Sequence, residues 1–237
     1  MFGVSARALY DYWYTGTLSA FVRRARLQST TTPDCDGWYP VTHAVDASTY
    51  CYRAYFAAMA LVKQHVANGE HWILYQKTKG NRPNGWTLLH LACDGSDKGY
   101  QRHDLVNLLL ASGIDVNSET PKGQTPYLLA SASGCVSCAE MLDRWHANPY
   151  ITPPGQAGAY QRAWCSSKQM ANYLRKKHPG LRSVQWVKGR EPGKGGGRGS
   201  LARSIRYAMH DQSLHGKLTN HTGPRYRDNT GTPYGRR

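Results

Sequence analysis

The chain has 237 residues, 40% of them hydrophobic, which is enough for one full core or a modest core with long extensions but crowded for two domains. Its formal net charge of +15, from 30 Lys plus Arg against 15 Asp plus Glu, exceeds what solubility asks of a small domain and points to an anionic partner. No run approaches the roughly 20 apolar residues of a membrane-spanning helix, and six cysteines at irregular spacing are too sparse for a disulfide scaffold, which makes a reducing compartment the default.

The charge is segregated. Residues 1–33 hold four Arg and one acid, residues 34–174 hold eleven basic and eleven acidic side chains, and residues 175–237 hold fifteen basic and three acidic ones. A neutral centre with cationic ends is the distribution of a protein that lays its arms on a phosphate backbone, although a solvated tail with no partner has the same composition. The first segment, residues 1–44, opens with MFGVSARALYDYWYTGTLSAFVRRARLQSTTT, rich in Arg, Ser, Thr and aromatics with Asp11 its one acid. That composition reads as a mitochondrial targeting segment, and Asp11 counts against it. The other reading is an arm that stays on a protein of the cytoplasm.

From Val45 to Asn68, apolar side chains at three- and four-residue steps (Tyr55, Ala58, Met59, Val62, Val66) predict a helix that Gly69 ends. The loop KTKGNRPNG follows, and then NGWTLLHLAC from Asn84, which recurs as KGQTPYLLAS from Lys122. Gly85 pairs with Gly123, Thr87 with Thr125 and Ala92 with Ala130. Each copy leads into a second helical run, HDLVNLLLASGIDVN in the first and CAEMLDRWHANPY in the second. A stretch that repeats at fixed period is architecture before it is chemistry.

These copies resemble the ankyrin repeat, whose pattern is Gly-x-Thr-Pro-Leu-His-x-Ala, then a Leu-rich second helix, then Gly-Ala-Asp-Val-Asn. SGIDVN fits that ending, and in HANPY His146 stands where glycine takes a left-handed turn. The spacing from Gly123 to Gly155 is close to the family's period of about 33 residues. An insertion within CDGSDKGYQRHDLV lengthens the first copy. A degenerate third copy begins at Gly155. The resemblance implies a mainly α fold, a short ankyrin-repeat solenoid of helix pairs over residues 45–180, with clear repeats at 84–116 and 122–154 and capping repeats either side. The flanking arms are basic and largely extended.

The resemblance also implies that His90 hydrogen-bonds backbone between neighbouring units, a structural role, with Leu128 at its place in the second copy. It implies protein binding through loop tips and first helices, at Pro83, Asn84, Trp86 and Leu91 and at Pro121, Lys122, Gln124, Leu129 and Ser133. Trp86 is either an interface anchor or packed on the preceding cap. Cys93 and Cys138 fall at small core positions. Cys135 and Cys138 have the spacing of half a zinc site, but no second pair completes it, so no metal is expected.

Residues 181–237 are almost free of acids and rich in Gly. A short strand-like piece, 183–188, leads through GREPGKGGGRGS into a helix near 200–215, with Ser200 as N-cap, Gly216 as stop, and Leu201, Ile205, Ala208 and Met209 along one face. The Gly-rich loop lacks the order of a phosphate-binding nucleotide motif, because Lys194 is followed by Gly195. It reads as a flexible basic linker. RNA contacts are expected at Lys188, Arg190, Lys194, Arg198, Arg203, Arg206, Lys217, Arg225, Tyr226, Arg227, Tyr234, Arg236 and Arg237, where Arg reaches phosphates and Tyr stacks on bases.

No paired carboxylates, G-x-S-x-G or H-E-x-x-H motif suggests an enzyme, and no cofactor or small-molecule substrate is expected. The function expected is an ankyrin adaptor serving as an RNA-contacting structural subunit of a large ribonucleoprotein, with a mitochondrial ribosome, and hence rRNA, the concrete candidate. The alternative is a free-standing adaptor that binds an acidic protein without RNA.

Overall fold

The run from Val45 to Asn68, expected as one helix, is parts of two. Helix α1 spans Pro40–Ala47 and α2 spans Tyr52–Ala67 in the computed structural model, which describes residues 30–33, 37–49, 51–79, 84–95 and 102–182. Pro40 sits in the first turn of α1, where its missing N–H costs nothing. The helix ends because two hydroxyls turn back on it: Ser48 Oγ donates to the Val45 carbonyl at 2.6 Å and Thr49 Oγ1 to that of Asp46 at 2.8 Å. Cys51 is extended, and α2 restarts from it. The first unit is therefore a helix pair. Gly69, at φ +71°, follows the end of α2 as expected.

Short α3 (His71–Leu74) leads to the first tip, and three more pairs follow: α4 (Leu88–Cys93) with α5 (Arg102–Ala111), α6 (Pro126–Ser133) with α7 (Val136–Arg144), and α8 (Ala159–Ser166) with α9 (Lys168–Lys177), closed by a 3₁₀ turn at Pro179–Arg182. The described residues contain no strand and no helix long and apolar enough to cross a membrane. The first helices α1, α4, α6 and α8 pack in one layer in that order, and the second helices α2, α5, α7 and α9 in another. Each element touches its own partner and the next unit, the quasi-one-dimensional packing of a solenoid.

One core runs through all four pairs. Leu61, Ile73, Leu74, Leu88, Leu89, Leu105, Leu109 and Leu128 are sealed from solvent, with Ala54, Ala57, Ala58, Ala92, Ala130 and Ala163 between them. On α2 the buried positions 54, 57, 58, 61, 62 and 65 recur at steps of three and four, the single apolar face of a helix packed on one side.

Two backbone turns hold the units in register. Gly85 has φ +72°, and a Cβ built on it would lie 2.4 Å from Cδ of Pro121 in the next tip, so only glycine fits there. His146 adopts φ 59° after α7, the left-handed turn anticipated for it.

Candidate protein-binding face

The tips are set by the residues that start the first helices. Thr87 caps α4 and Thr125 caps α6, each side chain accepting from the backbone N–H three residues on. At α4 the third helical residue is His90, which closes a network. Its Nδ1 accepts from the Thr87 N–H at 3.2 Å and from the Thr87 hydroxyl at 2.8 Å, so Nε2 carries the proton and donates to the Gln124 carbonyl of the next tip at 3.0 Å. Burial holds the imidazole down at about 4, against the opposing pull of the Gln124 carbonyl. A sealed, neutral histidine bonded on both nitrogens is a fastener between units, the structural role expected of it.

The same geometry removes several expected contact residues from the surface. Trp86 is buried; its N–H donates to Thr78 Oγ1 at 2.9 Å and its ring lies 6.0 Å from that of His90. It is core, not an interface anchor. Leu91 and Leu129, one residue further along α4 and α6 than His90 and Leu128, are sealed between neighbouring first helices. Gln124 is buried, and its carbonyl accepts from His90 and from the Thr120 N–H. Ser133 is half-buried and donates to the Cys93 carbonyl at 3.0 Å. Asn84, Pro121 and Lys122 remain exposed at the tips. Pro83 and every expected RNA contact from Lys188 to Arg237 lie outside the described residues, as do the helix near 200–215 and the segment before residue 30.

Exposed aromatics that the sequence reading left out mark the surface instead. Trp72 is 49% exposed on α3, edge-on to Tyr39 at 5.9 Å, and Tyr75 is 48% exposed with its hydroxyl donating to the Ser112 carbonyl at 2.8 Å. Trp145 is 40% exposed, and its Nε1 donates to Asn107 Oδ1 at 2.9 Å. The density of aromatics in HWILYQK was a legible signal for the first pair. The exposure of Trp145 was not, because it depends on where α7 ends.

Three further groups bear on chemistry. Cys135 caps α7 and is joined to Cys138, one turn on, by a disulfide; both are sealed in the core where the sequence placed Cys138 as a small filler. Among the described residues no group of three or more His, Cys, Asp or Glu side chains is placed to hold a metal. Asp143 on α7 accepts from the hydroxyls of Tyr127 and Tyr173 and pairs through Oδ1 with His178 Nε2 at 2.9 Å. Burial first, then the carboxylate, pushes the Tyr127 hydroxyl far up; for Tyr173 burial leads and the hydrogen bond to Asp143 follows. These contacts tie α6, α7 and α9 together, and the phenols they hold are poor acids, so the cluster reads as a clasp.

The last group is on α8. Its N-cap is Gly158, three residues past Gly155, whereas Thr87 and Thr125 follow their tip glycines by two. That extra residue shifts the third copy, so Arg162 occupies the place of Leu91 and Leu129, and Gln161 that of His90. Arg162 is buried, its Nε donating to the Ala157 carbonyl at 2.7 Å and its Nη2 to Gln156 Oε1 at 3.0 Å.

A family model described as ankyrin repeats (3 copies) matches residues 50–152, from just before α2 to the tip that follows α7. No curated protein matches the chain.

Proposed function

Since residues 50–152 of this chain belong to the ankyrin-repeat family, whose arrays are protein–protein interaction modules, we propose that the protein is an adaptor in which the array docks on protein while the cationic arms, chiefly residues 181–237, contact RNA within a large ribonucleoprotein. One observation supports the RNA half: the array segment 34–174 is charge-neutral, whereas residues 175–237 hold fifteen basic side chains against three acids. A surface built for protein and a separate polycation divide the two tasks along the chain. The Arg, Ser and Thr content of the N-terminal segment favours a mitochondrial setting, of which the mitochondrial ribosome is the concrete case.

The test is sedimentation of the full-length protein from lysate on a gradient with and without ribonuclease, beside a variant with Arg225, Arg227, Arg236 and Arg237 changed to Gln. Co-migration with a large particle, abolished by nuclease and weakened in the variant, is the expected result. A small species indifferent to nuclease would refute the RNA half and leave an adaptor for an acidic protein.

A further inference from the structure

Helix α9, Lys168–Lys177, is the last helix of the array. Met170, Ala171 and Leu174 are its buried side, whereas Lys168, Gln169, Asn172, Arg175 and Lys176 are exposed. At about 100° of turn per residue those five lie within an arc of roughly 120° opposite the buried side, so they share one face. Lys168 and Lys176 stand about 12 Å apart along it, with Arg175 beside the second. Gln169 and Asn172 add neutral donors to the row. Among the described residues, side-chain carboxylates pair with His65, His103 and His178 and with none of these three cations.

Folding does not ask for this arrangement. Arg175 and Lys176 lie in the last turn, where cations suit the helix dipole, but Lys168 is the first helical residue, where a cation opposes it. A terminal unit needs a polar outer face, which charges of both signs supply without self-repulsion. The two preceding second helices are not cationic: α5 exposes Asp104 with Asn107 and Ala111, and α7 sets Glu140 against Arg144. At the other end of the array α2 exposes Arg53 and Lys63, nearly three turns apart. From α9 the chain passes through the turn at Pro179–Arg182 into residues 183–237, which hold eleven basic and three acidic side chains. We propose that the exposed face of α9 is the folded end of an RNA-binding surface, on which Lys168, Arg175 and Lys176 take successive phosphates of one strand while the tail follows the same backbone. A strand of duplex carries a phosphate about every 3.4 Å of its axis, so a row of about 12 Å spans three or four. A phosphate backbone is the matching partner because its charge is of one sign and regularly spaced, and contact with it needs no pocket. The proposal rests on the RNA reading of the tail and extends it onto a defined helix face.

The probe is a fluorescein-labelled oligouridylate of about 20 nucleotides, and the readout is its anisotropy with full-length protein at salt from about 0.05 to 0.4 M. Four proteins are compared: wild type, a variant combining Lys168→Gln, Arg175→Gln and Lys176→Gln, Lys168→Gln alone, and a control combining Arg53→Gln, Lys63→Gln and Lys122→Gln. The control removes the same charge from exposed sites elsewhere on the array. Gln is a good helix former, and Lys168→Gln takes away a cation that opposes the dipole, so the single variant keeps the fold whatever the triple one does. Each phosphate contact on a single strand contributes about 0.7 to the slope of log K against log salt. The expected result is a slope shallower by about 2 in the triple variant and by about 0.7 in Lys168→Gln, with the control at the wild-type slope. Between about 1 M and 0.1 M salt the first difference amounts to roughly 100-fold in affinity. A wild-type slope in both α9 variants would overturn the proposal and leave the RNA on the tail alone, and an equal fall in the control would overturn it in favour of diffuse charge. A wild type that binds polyglutamate but not the oligouridylate would overturn the RNA reading itself and put an acidic protein on this face.

Discussion

His90→Leu separates two contributions that its burial couples. The substitution puts in an apolar side chain of the kind the fold accepts at Leu128, but it strips the Thr87 N–H of its partner inside a sealed region and takes one of two donors from the Gln124 carbonyl, which keeps the Thr120 N–H. The buried N–H left unsatisfied costs about 1–3 kcal/mol and the lost bond to Gln124 about 1 kcal/mol, partly offset by the added apolar contact, for a net loss of about 1–3 kcal/mol at pH 7.5. The pH dependence then changes in a definite direction. In the fold the imidazole takes a proton only near pH 4, whereas in the unfolded chain it does so near 6.5. Between those values the unfolded state binds more protons, so stability rises with pH through this window and is lost as pH falls from 6.5 toward 4. The difference in pKa is worth about 3 kcal/mol, close to the value of the hydrogen bonds themselves. The stability gap between wild type and His90→Leu is therefore expected to be full at pH 7.5, to narrow below 6.5 and nearly to close by pH 4. Urea unfolding followed by circular dichroism at half-unit pH steps measures it, and other titrating groups cancel in the difference. A gap that stays constant from pH 7.5 to 4 would refute the view that a neutral, sealed His90 fastens the units.

Four other substitutions test the register and the clasp. Gly85→Ala forces a Cβ against the Pro121 ring and retains φ +72°, so a loss above about 2 kcal/mol is expected, whereas Gly155→Ala, at φ +70° with nothing within 4 Å, loses only about 1 kcal/mol from backbone strain; denaturant midpoints compare the two. His146→Gly relieves the left-handed residue after α7 and is expected to raise stability by about 0.5–1 kcal/mol, read as an increase in Tm. Asp143→Asn keeps the shape but weakens the bonds from Tyr127, Tyr173 and His178, and a loss of about 2–3 kcal/mol is expected. Hydrogen exchange is expected to quicken first in α9, which the clasp holds through Tyr173 and His178.

The repeat unit was legible in the sequence because it is written in residues whose constraint is local. Thr87 and Thr125 cap, Gly85 and Gly123 turn, and His146 stands at a left-handed turn, and each acts within a few residues of itself. The resemblance that this grammar carries implied a structural His90 and a solenoid of helix pairs. Local pattern misled where two signals overlapped. The apolar periodicity across residues 45–68 ran through a break made by the Ser48 and Thr49 hydroxyls, and the tip at 155–158 hid one extra residue, which moved Arg162 off the alanine position and onto the place of Leu91 and Leu129.

What only the tertiary structure decided is which side of each helix is covered. Trp86, Leu91 and Leu129 lie on helices or tips with neighbours on both flanks, so their burial depends on the unit before and the unit after and not on their own spacing. The clasp at Asp143 joins residues 16, 30 and 35 positions away in the chain, and the burial of Arg162 and its bonds to Ala157 and Gln156 exist only in the folded tip. Composition alone fixed the separation of a neutral array from a polycationic tail, since charge adds along a chain whatever its fold, whereas burial and unmet hydrogen bonds are properties of contact and exist only in the folded molecule.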